Sequence, residues 1–303
     1  MTPSYQGIIP PMITPLIGRD TLDVAGLERL IERMIVGGIH GIFALGTSGE
    51  APSLSLRLRR EVIERTCAAV AGRVPVLIGI TDTSLIESAA LAQYAAEQGA
   101  AAAVTSAPFY FPAGQPELRE YIEQLLPELP LPLMLYNMPS MTKVSFGADT
   151  VTWALDQPAI VGLKDSSGDL VYFRKMQYLA AERRPDWSLL VGPEELLAEV
   201  VLLGGHGGIN GGANIHPRLY VDLYNAAKSG DLARSRELSA QVMAFSSAIY
   251  SVGQHSSAII KGLKCALSVL GVCDDFMAAP FHRFNDSERQ LVEKRLQQLN
   301  ITS

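Results

Sequence analysis

The 303-residue chain is poor in the features that would assign it to several function classes. It has three cysteines, Cys67, Cys265 and Cys273, an odd number with no Cys-x-x-Cys pair. That argues against a disulfide framework or a structural zinc site. Its histidines, His40, His206, His216, His255 and His282, are far apart and show no His-x-x-x-His pairing, so no metal site is expected. Only 18% of the residues are charged, the 25 basic ones are scattered, and the net charge is −6. No basic stripe is left for nucleic acid or an anionic membrane, and small-molecule partners are favoured. No apolar run reaches membrane-spanning length. The first basic residue is Arg19 and prolines interrupt the apolar stretch before it, so the start does not read as a secretory signal. A reducing cytoplasm is the expected compartment. The glycines of "GGHGGINGGAN" (204–214) match neither a helix-opening Gly-x-Gly-x-x-Gly nor a P-loop, and no Ser-His-Asp arrangement stands out.

What the chain does have is 48% apolar residues, enough for a large core. Short β-rich runs alternate with helical spacing, the mark of a parallel sheet with crossover helices. The runs span 7–14, 40–46, 75–80, 101–106, 131–137, 159–165, 187–192 and 206–210. The first contains two prolines and the last is mostly glycine, which weakens both as strands. Helices are expected at 23–38, opening on an aspartate cap, at 53–72, and at 84–99, where Ser84 and Glu87 form a capping-box pattern. Eight such units within about 225 residues match the size of a (β/α)8 TIM barrel of the α/β class. Residues 1–215 would be the barrel core. Residues 216–303 read as its last helix and a small C-terminal helical appendix.

In a barrel, reactive groups gather where strands end. At those ends stand Thr14, "GTSGE" (46–50), Thr105 and Ser106, Tyr136 and Asn137, Lys164, and "GPEE" (192–195). A lysine closing the apolar run "AIVGLK" would be costly to desolvate, which lowers its pKa and frees a neutral amine to attack a carbonyl. The competing reading is a lysine that reaches solvent or pairs with Asp165. Tyr136 could pass protons to a carbinolamine on Lys164, or simply close the barrel as an amphipathic aromatic. "GTSGE" offers backbone N–H groups and two hydroxyls as a seat for a carboxylate, or is only a strand-to-loop turn. Pro193 followed by Glu194 and Glu195 is also what a helix N-terminus prefers.

Taken in order, "GIIPPMITPL", "GTSGE", "APFYFP" (107–112), "YNMPSMT" (136–142), "GLKDSSGD" (162–169), "GGINGGAN" (207–214) and "KCALSVLG" (264–271) resemble the dihydrodipicolinate synthase / N-acetylneuraminate lyase family of pyruvate-handling class I aldolases. The resemblance implies that Lys164 forms an imine with a 2-oxo acid, so that no external cofactor is needed. It implies Tyr136 as the proton-relay tyrosine, Thr47 as its linking hydroxyl, and Tyr110 as a tyrosine donated across a dimer interface. Thr47 and Ser48 would hold the pyruvate carboxylate, and the Ile209 carbonyl would lie near the nucleophilic carbon. A homodimer or a dimer of dimers is implied.

The lysine-biosynthesis branch carries arginine where this chain has Met141, and methionine cannot grip a carboxylate. Lys143 could compensate if it pointed inward. The sialic-acid lyases read Gly-x-Asp-Glu, acids that bind substrate hydroxyls, where Glu194 and Glu195 stand here, and place a hydroxyl residue at Gly211; the resemblance thus implies Glu194 and Glu195 as substrate contacts. The expected activity is cleavage or formation of pyruvate plus an aldehyde, with a 2-keto-3-deoxy sugar acid or a sialic-acid-like substrate. The alternatives are 4-hydroxy-tetrahydrodipicolinate synthase, a dehydratase working through the same imine, and a non-catalytic 2-oxo acid binder.

Overall fold

The computed structural model describes residues 5–302; residues 1–4 and 303, at the edges of the expected barrel and appendix, lie outside it. All eight expected strand positions are occupied. They are β1 (Gly7–Ile8), β2 (Ile42–Ala44), β3 (Val76–Gly79), β4 (Ala102–Ser106), β5 (Leu133–Asn137), β6 (Ile160–Asp165), β7 (Ser188–Val191) and β8 (Gly207–Gly208). Every neighbouring pair is parallel, and β1 lies beside β8. The circle closes where Met12 N–H donates to the Phe43 carbonyl (2.9 Å) and Phe43 N–H donates to that of Pro10 (3.0 Å). The strand expected over 7–14 shrinks to two residues because Pro10 and Pro11 have no N–H to give a ladder. A small antiparallel hairpin, Leu16–Gly18 with Thr21–Leu22, follows it and had no counterpart in the sequence reading.

The barrel helices are α1 (Val24–Val36), α2 (Leu56–Val70), α3 (Leu85–Glu97), α4 (Gln115–Leu125), α5 (Ala148–Leu155), α6 (Leu170–Arg183), α7 (Leu197–Leu202) and α8 (Pro217–Ser229). The first three begin on side-chain caps. Gly26 N–H donates to Asp23 Oδ1, Leu58 N–H to Ser55 Oγ, and Glu87 N–H to Ser84 Oγ. The helix expected from 53 starts at Leu56, because Ala51–Ser53 form a 3-10 turn and Ser55 is the cap. The appendix consists of α9 (Leu232–Ile249), α10 (Ala258–Val269) and α11 (Asp286–Gln298).

Alternation along the strands sorts the core into two layers. Ile9, Phe43, Leu77, Val104, Met134, Tyr136, Leu190 and Ile209 face into the barrel. Ile42, Ile78, Leu135 and Leu163 face the helices, and this outer layer runs on without a break to Leu238, Phe245, Leu263 and Leu267 of the appendix. Two histidines serve as backbone acceptors: Ile8 N–H donates to His40 Nδ1 and Leu189 N–H to His206 Nδ1. Burial lowers the pKa of both, which suits that acceptor role. Among the described residues there is no His, Cys, Asp and Glu cluster able to hold a metal, and no helix long and apolar enough to cross a membrane.

Candidate active site

Strand β6 is irregular just before Lys164. Leu133 pairs with Ile160, but the next residue, Met134, pairs with Gly162, so Val161 is an extra residue in β6. Such a bulge reverses the side-chain alternation beyond it. Ile160 and Lys164 are an even number apart and would share a face in a regular strand. Here Ile160 joins the outer layer, while Lys164 opposes Tyr136 inside the barrel. Gly162 has no side chain because a Cβ there would run into the Ser188 carbonyl of β7.

Lys164 is 3% exposed, with Nζ 3.9 Å from the centre of the Tyr136 ring and 4.9 Å from that of Phe43. Its ammonium has no carboxylate partner among the described residues. Asp165, the neighbour it might have paired with, points the other way, where Asn137 Nδ2 (2.8 Å), Ser167 N–H and Ser167 Oγ donate to it. Burial lowers the Lys164 pKa, and the adjacent Tyr136 only partly opposes that shift. Both aromatic faces favour the ammonium to some degree, but desolvation is the larger effect.

The Tyr136 hydroxyl lies 3.1 Å from Thr47 Oγ1, so strand β5 and the loop after β2 meet directly above the lysine. That loop is an unusual turn. Leu45 (φ 58°) and Glu50 (φ 55°), at its two ends, are both left-handed non-glycine residues, a conformation associated with functional strain. Gly49 and Glu50 use their N–H groups inside the turn. Those of Thr47 and Ser48 have no partner among the described residues, so two donors and two hydroxyls stand together at the mouth.

A cavity of about 290 Å³ opens over this group, large enough for a small metabolite. Phe43, Thr47 and Tyr136 line it below, and Lys164 lies beneath the two rings rather than in the wall. Around the rim stand Phe109, Met138, Met141, Ser256, Ser257, Ile260 and Phe281. The last four come from the appendix, distant in sequence and with no local signal to mark them. Among the described residues, no lysine or arginine lines the cavity. Lys143 is an exposed, left-handed residue ending the one-turn helix Pro139–Thr142, with its ammonium on the Ser140 carbonyl.

The other residues singled out from the sequence are placed differently. Ile209 faces inward in the same layer as Tyr136. Glu195 is half-buried and does not line the cavity. Tyr110 is 84% exposed at φ 83°, stacked edge-on against Phe111, and away from this chain's own cavity.

Glu194 is buried behind the mouth. Tyr220 (2.5 Å) and Tyr250 (2.9 Å) donate their hydroxyls to it, and Gly212 donates its N–H (2.8 Å). A side chain at Gly211 would meet the Tyr250 hydroxyl at 3.0 Å. Burial pushes the Glu194 carboxyl up to about 7, against the pull of its three donors. A folded value above the ordinary 4.5 means that stability is lost as pH rises from about 4.5 to about 7. A displacement of that size is worth about 3 kcal/mol. Thermal melts should therefore show Glu194→Gln gaining on the parent protein between pH 5 and pH 8. A difference that stays flat across this window would mean that Glu194 does not titrate there.

The dihydrodipicolinate synthetase family model matches residues 4–299. A probable 2-dehydro-3-deoxy-D-pentonate aldolase of Escherichia coli is 34% identical over 258 residues, 85% of each chain. Among solved structures, the dihydrodipicolinate synthase of Bacteroides thetaiotaomicron is 55% identical with a TM-score of 0.95, covering 98% of this chain and all of that one. YagE of Escherichia coli, solved in complex with pyruvate, is 29% identical with a TM-score of 0.93, covering 98% of this chain and 99% of that one.

Proposed function

This chain belongs to the dihydrodipicolinate synthetase family of lysine-Schiff-base lyases, and on that premise we propose that it cleaves or forms a 2-keto-3-deoxy sugar acid, exchanging it with pyruvate and an aldehyde. One observation carries the choice of substrate. The cavity over Lys164 is walled by hydroxyls, thioethers and aromatic rings, with no cationic side chain among the described residues to hold a second carboxylate.

In the cleavage direction, the desolvated Lys164 amine turns out from between the two rings and adds to C2 of the keto acid. The carbinolamine loses water to give an imine, with Tyr136 handling the protons and Thr47 holding its hydroxyl. The free N–H groups of Thr47 and Ser48 receive the C1 carboxylate. Once protonated, the imine draws the C3–C4 electron pair toward nitrogen. The C4 hydroxyl gives its proton to the Tyr136 oxygen as the C3–C4 bond breaks, so C4 and the groups it carries leave as the aldehyde and an enamine remains on Lys164. Protonation at C3 and hydrolysis then release pyruvate and restore Lys164. On this reading the enzyme works in the cytoplasm, without an external cofactor, as a dimer or tetramer in which the exposed Tyr110 reaches a neighbour's mouth. The carbonyl of Ile209, a residue of the inward layer, would complete the substrate contacts.

A second reading is the synthase reaction with aspartate semialdehyde, favoured by the 55% identity to a structure described as dihydrodipicolinate synthase. One assay separates the two. Purified protein should release pyruvate from a 2-keto-3-deoxy sugar acid and leave aspartate semialdehyde with pyruvate nearly untouched. Met141→Arg, at the half-exposed rim, should shift the preference toward the carboxylated aldehyde by about 10-fold or more, the worth of one charge-assisted bidentate contact. Efficient turnover of aspartate semialdehyde by the unaltered protein would establish the second reading instead.

A further inference from the structure

Lys164 is not the only buried lysine. Lys264, in α10 of the appendix, is fully enclosed, and its ammonium is paired with the equally enclosed carboxylate of Glu50. The same ammonium donates to the Phe276 carbonyl (2.8 Å), and Ala278 N–H donates to Glu50 Oε1 (2.9 Å). Three separate pieces of chain thus converge on one buried charge pair: the loop after β2, helix α10, and the segment 276–278.

Glu50 is the left-handed residue that ends the 45–50 turn, and it also lines the cavity. A further tether holds the turn from the opposite side, where Thr14 Oγ1 donates to the Gly49 carbonyl (2.7 Å). Stability alone does not account for the pair. An apolar pair of the same volume usually serves a core as well or better, because two charges must be stripped of water to be buried. A left-handed glutamate is also a poor choice where a glycine would be unstrained. What the pair provides is a fixed position for a strained turn whose middle carries Thr47 and Ser48.

We propose that Glu50 and Lys264 are positioning residues of the active site, locking the turn from the appendix side. The lock keeps the Thr47 hydroxyl on Tyr136 and the N–H groups of Thr47 and Ser48 facing the substrate acid. This rests on the reading that those groups seat the carboxylate and serve the relay. It also makes the appendix part of the catalytic frame rather than a cover over it.

The test compares three proteins: the parent, Glu50→Gln/Lys264→Met, and Thr14→Val. The double variant removes both charges, so neither is left alone in the core. Thr14→Val cuts the opposite tether with little change of shape. Each is assayed for its melting temperature, for KM toward the cleaved acid, and for the single-turnover rate of borohydride-trapped imine at saturating pyruvate. The expected result for the double variant is a fold and melting temperature near the parent's, KM raised 10-fold or more, and trapping slowed 10- to 100-fold. Thr14→Val should show the same pattern at a few-fold. A folded double variant with parental KM and trapping rate would overturn the proposal while leaving the Lys164 chemistry intact. If the double variant does not fold, Thr14→Val decides by the same criterion. Failure of the parent itself to trap pyruvate on Lys164 would remove the underlying reading and this proposal with it.

Discussion

Lys164→Met should abolish borohydride-trapped pyruvate, reduce carbon-carbon cleavage at least about 10⁴-fold, and at the same time raise the melting temperature. The first two effects follow from removing the one amine beneath the cavity among the described residues, because Lys264, in the appendix, is locked onto Glu50. The third follows from the sign of the pKa shift. Burial lowers the folded pKa of Lys164 below its ordinary 10.5, so near neutrality the unfolded chain holds a proton more readily than the folded one. That penalty is present in full below the folded pKa and fades as pH rises toward 10.5. Methionine fills nearly the same volume without charge, so the variant should melt measurably higher than the parent near pH 7. Melts of both proteins from pH 7 to pH 10.5 should converge at the alkaline end. A variant less stable than the parent at every pH would show that the amine is not strained by burial.

Tyr136→Phe should cost 10²- to 10⁴-fold in turnover, the usual range for removing a positioned proton-transfer group, while pyruvate still binds. The substitution removes the hydroxyl's contact with Thr47 and the one influence that opposes the lowering of the Lys164 pKa, so that lowering should persist or deepen. The ring keeps its edge-on contact with Phe43 (6.1 Å between centres) and stays beside Lys164 Nζ. The lysine's surroundings, and with them its lowered pKa, should therefore survive. Single-turnover trapping should slow in step with turnover, and the KM for the cleaved acid should change by only a few-fold. A large rise in KM with unchanged turnover would assign Tyr136 to binding instead of proton transfer.

The strand-helix alternation was legible because parallel strands buried on both faces leave unbroken apolar runs between helical periods, and all eight runs became strands. Boundaries were less so. Pro10 and Pro11 cut β1 to two residues, and α2, expected from 53, starts at Leu56 on a Ser55 cap. Lys164 could be singled out as an anomaly at a strand end, but its inward direction depends on the bulge at Val161. That bulge reflects how β6 meets β5 and cannot be read from "AIVGLKD" alone.

Other parts of the site were hidden for related reasons. Glu194 looked like a substrate ligand or a helix start, and only packing revealed two tyrosines arriving from α8 and the end of α9 to take its oxygens. Glu50 and Lys264 lie more than 200 positions apart, a distance across which no local pattern carries information.

The barrel is held together unevenly, and this bears on how the molecule breathes. Its thinnest joints flank β1: to β2 only the bridge of Pro11 and Phe43, and to β8 a glycine seam, two residues against two, three of them glycines with no side chain to interlock, and Gly207 packed against the Gly7 backbone. On the far side of the ring, β4 and β5 pair over four residues and β5 and β6 over five, interrupted only by the bulge at Val161, and these strands carry Tyr136 and Lys164. Brief local openings favour the region with fewest buried contacts, so the ring should part beside β1 well before it parts around Lys164. On this expectation, transient loosening of the barrel would be diverted away from Lys164, and the amides of β5 and β6 should be among the last to exchange with solvent.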